Sequence, residues 1–329
     1  MGVTSMILML MGALAAAGEP GVAGAAGRRP AGPAVAATVE DPVEKEYRKL
    51  MEDDDAAQDE VDKWIRDAEE FARKGAEGPS NSLGGRVRQR FDGVKKAYEN
   101  FLSRNPKHAR ARLAYGSFLQ DIGEEADGVK QMERSRELDP RNPAAWNNLA
   151  NYYGHRGPVK KAFEYYAKAS ELAREEPTYY WNLATTVYLF RKDAREFYQL
   201  NEEQVFDKAL ELYRRAIQHD PTNFVLATDY AESFYGTNPM RLEDGMKAWR
   251  AALKIARDEV EREGVSMHFA RINIYLGNFE EARRQLGSIT NAMYQTLKGT
   301  LGRKLERDEA AAKGKGATAA GNEAGEKEK

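Results

Sequence analysis

Residues 143–176 read PAAWNNLANYYGHRGPVKKAFEYYAKASELAREE and contain most of the information about the fold of this chain. An apolar stripe runs along one side of their first half at helical spacing. It consists of Trp146, Leu149, Ala150 and Tyr153. Ala150 and Ala162 are small, as is needed where two helices approach closely, because bulky side chains would hold the axes more than about 8–10 Å apart. The segment therefore predicts a hairpin of two packed α-helices.

The same pattern returns about every thirty-four residues between residues 109 and 221. At this offset Gly123 aligns with Gly157, and Pro106 aligns with Pro140. A fixed period of this length indicates a solenoid of stacked helix pairs, in which each pair leaves an apolar face for the next one.

Short polar segments mark the junctions between hairpins. In residues 139–143 (DPRNP), Pro140 ends one helix and Asn142 caps the next. Pro143 suits a first helical position, because the N–H that proline lacks would have no partner there. The segment DPTN at 220–223 has the same role in the following repeat.

The repeating residues resemble the motif of the tetratricopeptide repeat family. Eight positions of the copy at 143–176 agree with that motif, namely Trp146, Leu149, Ala150, Tyr153, Gly157, Ala162, Tyr166 and Ala169. Weaker copies extend the resemblance over residues 86–298, as about five repeats. The resemblance implies an all-α fold, a right-handed solenoid of antiparallel helix pairs.

The third copy is interrupted near residues 191–203. Its closing proline comes 13 residues late, at 221 instead of 208. Apolar side chains on this otherwise charged insertion are Phe197, Tyr198 and Leu200. They either attach the insertion to the solenoid or form an exposed contact patch at the edge of a binding groove. Asn201, followed by Glu203 and Gln204, resembles a cap at which a helix begins again.

The chain begins with an apolar run of twelve residues, 6–17, that ends in alanines. The run is too short to span a bilayer, which needs about twenty residues. We expect residues 1–17 to be a signal peptide and the protein to be exported, to a bacterial periplasm or cell surface. The alternative is an alanine-rich start of a cytoplasmic protein. Since the chain has no cysteine, disulfides and a lipid-modified cysteine anchor are excluded.

The segments outside the repeats differ in composition. Residues 18–40 are rich in Gly, Ala and Pro and predict a flexible spacer. Residues 41–85 predict an acidic amphipathic helical segment, followed by a loop from about residue 75. The apolar positions of this helix are Val61, Trp64, Ile65, Ala68 and Phe71. Residues 299–329 predict a helix end and a disordered tail, because their later portion has no apolar periodicity.

Several classes of function find no support in the sequence. The formal net charge is −2 and the pI is near 6.2, which gives no electrostatic argument for nucleic acid or an anionic membrane. The four histidines are isolated, and no Walker-type phosphate-binding loop is present. We therefore expect no enzymatic activity, no cofactor, no metal site and no integral membrane span.

The resemblance also points to a binding surface. In this family the first helix of each pair lines a concave groove. The positions carried over to this chain are Asn147, Asn148, Asn151, His155, Asn182, Thr185 and Asp229. Side-chain amides both donate and accept hydrogen bonds, and so suit the backbone of an extended peptide. An equal alternative is that exposed helix faces simply tolerate asparagine.

One binding mode of the family is not expected here. Members that dock a C-terminal carboxylate of chaperones use three cations, and Asn147, Val225 and Asp229 occupy those places in this chain. The sequence thus predicts a non-catalytic scaffold that binds a peptide or protein segment in its groove. The alternatives are a structural element that assembles into a homo-oligomer without a groove ligand, and an accessory subunit that recruits substrate to a separate enzyme.

Overall fold

The computed structural model describes residues 41–74 and 80–326, so the predicted signal peptide (1–17) and spacer (18–40) lie outside the described residues. From Glu46 onward the chain forms one compact unit, and the described residues before it only begin the first helix. All regular structure in the described ranges is helical. The helices are α1 (Pro42–Arg73), α2 (Ser80–Arg104), α3 (Ala109–Asp121), α4 (Glu125–Leu138), α5 (Pro143–Arg156), α6 (Val159–Leu172), α7 (Pro177–Leu189), α8 (Arg191–Tyr198), α9 (Glu202–His219), α10 (Phe224–Ser233), α11 (Leu242–Ile255), α12 (Glu259–Tyr275), α13 (Phe279–Gly287) and α14 (Gln295–Glu326).

Five antiparallel pairs form the solenoid: α3 with α4, α5 with α6, α7 with α9, α10 with α11, and α12 with α13. We call the first member of each pair an inner helix and the second an outer helix. Each outer helix also packs on the inner helix that follows it, which buries the apolar face that one hairpin alone leaves exposed. The predicted all-α solenoid of helix pairs is confirmed.

The helix ends follow from local chemistry. The Asn142 side chain accepts a hydrogen bond from the backbone N–H of Ala144, and Asn223 caps α10 in the same way. Gly123 and Gly157, which align in the repeat, end inner helices with φ values of 83° and 69°. Because only glycine adopts such φ values without steric cost, these turns explain why glycine recurs at this position.

Helices α3 and α4 cross at two glycines. A Cβ atom on Gly128 would lie 2.7 Å from the carbonyl oxygen of Gly116, and a Cβ on Gly116 would lie 2.6 Å from Cγ of Met132. In the next hairpin Ala150 and Ala162 are completely buried. The small residues therefore allow close approach of the helices, as the sequence predicts.

Helices α1 and α2 precede the first complete pair and are joined by side-chain bonds. The Tyr98 hydroxyl donates to Asp54 at 2.5 Å, and burial raises the pKa of this carboxyl group. The apolar stripe predicted on α1 is buried only at its beginning. Val61 is 5% exposed, whereas Phe71 is 58% exposed. A loop is predicted from residue 75 to 85, but its second half is helical, because α2 begins at Ser80.

The insertion near residues 191–203 forms the short helix α8. The rings of Phe197 and Tyr198 pack against Phe163 of α6, with ring centroids 5.4 and 5.5 Å apart. After a turn, Asn201 and Gln204 form a complete capping box that begins α9. The capping prediction is therefore confirmed, and the insertion adopts a helix that the sequence had not indicated.

A buried carboxylate fixes the C-terminal end. Glu263 of α12, 4% exposed, accepts backbone N–H bonds from Thr290 and Asn291 at 2.9 and 2.8 Å. These bonds lower the pKa of Glu263. Leu301 and Leu305 of α14 then pack into the core formed with α12 and α13. For residues 299–329 the sequence predicts a helix end and a disordered tail, whereas the described backbone remains helical as far as Glu326.

Candidate functional site

The inner helices α3, α5, α7, α10 and α12 share one face of the solenoid, which we call the inner face. All seven predicted groove residues lie on inner helices. Asn147, Asn148, Asn151 and His155 belong to α5, Asn182 and Thr185 to α7, and Asp229 to α10. Each of these residues thus lies on the first helix of its pair, and the contacts show what each side chain does.

Three of the predicted asparagines bind one another and hold inner helices together. Asn182 Nδ2 donates to Asn147 Oδ1 at 2.9 Å, which joins α7 to α5. Asn147 Nδ2 donates to Asn148 Oδ1 at 3.3 Å, and Asn148 Nδ2 donates to Ser117 Oγ of α3 at 3.1 Å. The side-chain amides of these asparagines are therefore hydrogen-bonded within the solenoid. Ser117 also takes part in this chain of bonds, although the sequence did not indicate it.

The other predicted residues on α5 and α7 differ in how far their polar atoms are hydrogen-bonded. Asn151 Oδ1 accepts a bond from the Tyr166 hydroxyl at 2.6 Å, and its Nδ2 has no partner within the described residues. The Thr185 and Tyr213 hydroxyls are hydrogen-bonded at 2.9 Å. His155 is exposed at the end of α5. Asn151 and His155 are thus the predicted groove residues on α5 that keep polar atoms available to a ligand.

Asp229 joins α10 to α7. Its Oδ2 atom accepts a 2.8 Å bond from Nε1 of Trp181. Burial raises the pKa of Asp229 to about 6, and the hydrogen bond from Trp181 opposes this shift. The sequence indicated Asp229 but not Trp181, because an aromatic residue on an inner helix is commonly a core residue.

Further polar residues lie beside Asp229. Glu232, one turn later on α10, places Oε1 3.6 Å from Nε2 of His268 on α12. The Tyr235 hydroxyl is 3.2 Å from Nδ1 of His268, whose ring stacks on Trp249 with centroids 3.8 Å apart. We call Trp181, Asp229, Glu232, Tyr235 and His268 the acid–aromatic cluster.

Burial controls the charge of this cluster. It raises the pKa of Glu232 to about 7, with a further increase from the charge of Asp229 and a decrease from Arg271. Burial, and to a smaller extent Arg271, lowers the pKa of His268 well below its usual value, so the imidazole is neutral near pH 7. The sequence gives no signal for Glu232 and Tyr235, because each resembles an ordinary helix residue when its neighbours in other repeats are unknown.

These shifts predict that the carboxylates reduce stability at neutral pH. Between about pH 4 and pH 7 the folded state holds protons that the unfolded state has released, so the free energy of unfolding falls as pH rises through this window. The double variant Asp229→Asn, Glu232→Gln retains an acceptor for Trp181 and carries no such charge. We expect it to be more stable than the natural protein at pH 8, by roughly 1–3 kcal/mol.

Urea unfolding at pH 4.5 and pH 8 measures this effect. The advantage of the double variant should be smaller at pH 4.5, because both carboxyl groups of the natural protein are then protonated in the folded state. An equal difference at the two pH values would contradict the assignment to carboxylate burial.

The three residues predicted as an insertion patch lie elsewhere. Phe197 and Tyr198 contact Phe163 of an outer helix, and the Lys208 ammonium lies 4.3 Å above the Tyr198 ring. Together with Leu200 they are partly buried. Helix α8 contacts the outer helices α6 and α9, as well as the end of α7. These contacts favour the interpretation that the side chains attach the insertion to the solenoid.

Neither a cluster of metal-ligating residue types nor a membrane-spanning helix is found in the part of the chain that the structure describes. Within residues 41–74 and 80–326, no group of three His, Cys, Asp or Glu side chains is arranged to hold a metal ion. Over the same ranges, every helix is too short or too polar to cross a membrane.

Comparison with known proteins gives matches in structure alone. The sequence matches no protein-family model and no curated protein. A structure of pilF from Pseudomonas aeruginosa has a TM-score of 0.50 and 13% identity, over 78% of this chain and 99% of that one. The C-terminal part of a TPR repeat-containing protein from Cytophaga hutchinsonii also has a TM-score of 0.50 and 13% identity, over 74% and 97%. MamA is 22% identical over 52% of this chain and 85% of its own, with a TM-score of 0.41.

Proposed function

We propose that this chain, which has the fold of tetratricopeptide repeat proteins, is a non-catalytic scaffold that binds an extended peptide or protein segment on its inner face. One observation carries the proposal: polar side chains bridge every pair of neighbouring inner helices. The bridges are Asn148 with Ser117, Asn182 with Asn147, Trp181 with Asp229, and Glu232 with His268. These contacts follow the inner helices from α3 to α12 and support a polar strip along the inner face.

The bridges suit this strip to ligand binding. Because the amides of Asn147 and Asn182 bond to each other, they hold α5 and α7 at a fixed spacing. Asn147 itself is buried, at 8% exposure, and so sets the spacing of the helices and is not offered to a ligand. A ligand then meets the more exposed groups of a face whose helix spacing is already fixed, which reduces the entropy lost on binding. Asn151 and His155 add unengaged polar atoms to the same face. An extended peptide backbone, with donors and acceptors along its length, is the ligand that matches such a strip.

Peptide selection tests the proposal. Peptides selected from a random phage-displayed library against the full chain are labelled, and their dissociation constants are measured by fluorescence anisotropy. The variant Asn151→Ala, His155→Ala alters the inner face without touching the asparagine bridges. We expect it to weaken binding about tenfold or more, equivalent to at least about 1.4 kcal/mol.

A matched outer variant provides the control. Glu164→Ala, Lys168→Ala changes two exposed residues with the same four-residue spacing on the outer helix α6. Its affinity should equal that of the natural protein. Unchanged binding by the inner variant, or a loss confined to the outer variant, would place the ligand elsewhere and refute the proposal.

We also propose that the protein is exported to a bacterial periplasm or cell surface. The support is the apolar run at residues 6–17 with its closing alanines, which lies outside the described residues. Mass spectrometry of the N-terminus in separated cell fractions tests this. A mature start between residues 16 and 19 in the exported fraction is expected, whereas an intact Met1 confined to the cytoplasm would contradict it.

A further inference from the structure

We propose that the acid–aromatic cluster is a binding site for a lysine or arginine side chain of the segment that the inner face holds. This inference rests on the proposed function and adds the chemistry of the ligand. It places the cation beside Asp229 and Glu232, next to the ring of Trp181.

The carboxylates of the cluster lack a cationic partner. The one side-chain hydrogen bond to Asp229 comes from Trp181 and occupies Oδ2, and Glu232 accepts no hydrogen bond within the described residues. No lysine or arginine of the described chain lies within 4.0 Å of either carboxylate. Both side chains are partly withdrawn from water, with Glu232 29% exposed. Such carboxylates favour an arriving cation, because a charge-assisted bond replaces the hydration they have lost.

The neighbouring basic groups do not fill this place. His268 contacts Glu232 but is neutral near pH 7, since burial disfavours its charged form. Arg271 directs its guanidinium over the ring of Tyr235, with Cζ 5.4 Å from the ring centroid, and makes no ion pair with Glu232. Arg271 therefore weakens the negative potential at Glu232 without removing it. The negative potential at Asp229 is not reduced in this way.

The aromatic residues complete the site. The Trp181 indole adjoins Asp229, and the Tyr235 hydroxyl is held by His268. The Tyr235 ring is already covered by the Arg271 guanidinium and by the stacked His268 ring, whose centroid lies 5.9 Å away. A ligand cation would therefore gain attraction from the face of the Trp181 indole in addition to the carboxylates. At pH 8 both carboxyl groups are ionised and only accept hydrogen bonds, so ligands that only donate them, such as ammonium and guanidinium groups, are selected over amides and acids.

The Trp181 indole group provides a direct measurement. The chain has four tryptophans, so its ¹⁵N–¹H spectrum contains four indole signals, and Trp181→Phe identifies the one from Trp181. The full chain is titrated at pH 8, where both carboxyl groups are ionised, with the tripeptide Ac-Gly-Arg-Gly-NH₂, and separately with the same peptide carrying uncharged citrulline. We expect the arginine peptide to shift the Trp181 signal in a saturable way and the citrulline peptide to leave it in place.

Two variants separate the site from general charge effects. Asp229→Asn, Glu232→Gln should weaken binding of the arginine peptide at least about tenfold. Glu243→Gln, Asp244→Asn removes two carboxylates from exposed positions on the outer helix α11 and should leave binding unchanged. Urea unfolding confirms that both variants are folded. Equal affinity in all three proteins, or no shift of the Trp181 signal up to the solubility limit of the arginine peptide, would overturn the inference.

The outcome is independent of the test of the proposed function. If selected peptides depend on Asn151 and His155 but not on Asp229 and Glu232, the inner face binds peptide and the cation site is refuted. If the tripeptide shifts the Trp181 signal, but selected peptides bind the Asn151→Ala, His155→Ala variant as tightly as the natural protein, the cation site is supported and the proposed function fails.

Discussion

Replacement of Phe163 by alanine is expected to lower the free energy of unfolding by about 3–5 kcal/mol. The Phe163 side chain is completely buried on α6, where it contacts Phe197 and Tyr198 of the insertion. The change removes apolar contacts from both sides of this interface and leaves a cavity, because the surrounding helices relax only incompletely. Helix α8 should lose its attachment, and its backbone amides should exchange with solvent faster.

Urea unfolding and hydrogen exchange measure the two effects. Phe71→Ala on α1 is the matched control, because its ring is 58% exposed and little stability should be lost. A loss below about 1 kcal/mol for Phe163→Ala, or unchanged exchange in α8, would show that the insertion is held by other contacts. Unchanged peptide binding after release of α8 would further favour attachment as the role of Phe197 and Tyr198.

Replacement of Gly128 by alanine is expected to destabilise the protein by about 1–3 kcal/mol. Alanine is the better helix former by about 1 kcal/mol, so helix propensity alone predicts the opposite sign. A steric clash outweighs the gain in helix propensity. The added Cβ would lie 2.7 Å from the carbonyl oxygen of Gly116, and a backbone atom cannot rotate aside as a side chain does. Helices α3 and α4 would have to separate along their crossing.

Gly93 supplies the comparison for this prediction. It lies on α2 with no atom within 4 Å of an added Cβ, so Gly93→Ala should stabilise the protein by about 0.5–1 kcal/mol. Both variants are compared with the natural protein by urea unfolding. If Gly128→Ala proves as stable as Gly93→Ala, the two helices are farther apart than the structure indicates.

The features that the sequence predicted well are those determined locally or by the repeat. Asn142 and Pro143 begin a helix through bonds to their own neighbours, and Gly157 ends one through its φ angle. Small residues such as Ala162 mark helix crossings in every copy. The insertion was located by its length, but its helix and its docking on Phe163 depend on a tertiary contact that no periodicity reports.

The candidate site was predicted less completely for the same reason. Periodicity placed Asn147 and Asn182 on one face, yet it cannot distinguish an amide that faces solvent from one that bonds to the next repeat. Glu232 and Tyr235 carry no motif, and their significance arises only where His268, more than thirty residues later, packs beside them. The site residues themselves remain a prediction that the variants above address.

The bonds to Glu263 also determine where this array can be lengthened. They fix the turn that leads into α14, and Leu301 and Leu305 then cover the apolar surface on which a sixth hairpin would have to stack. Concatenation at this end would require the removal of α14. No additional helix covers the junction at 220–223. Residues of this junction end α9 and cap α10. A repeat inserted at this internal junction would leave the terminus intact, but it would have to reproduce the packing of α9 on α10 and replace the bond between Trp181 and Asp229.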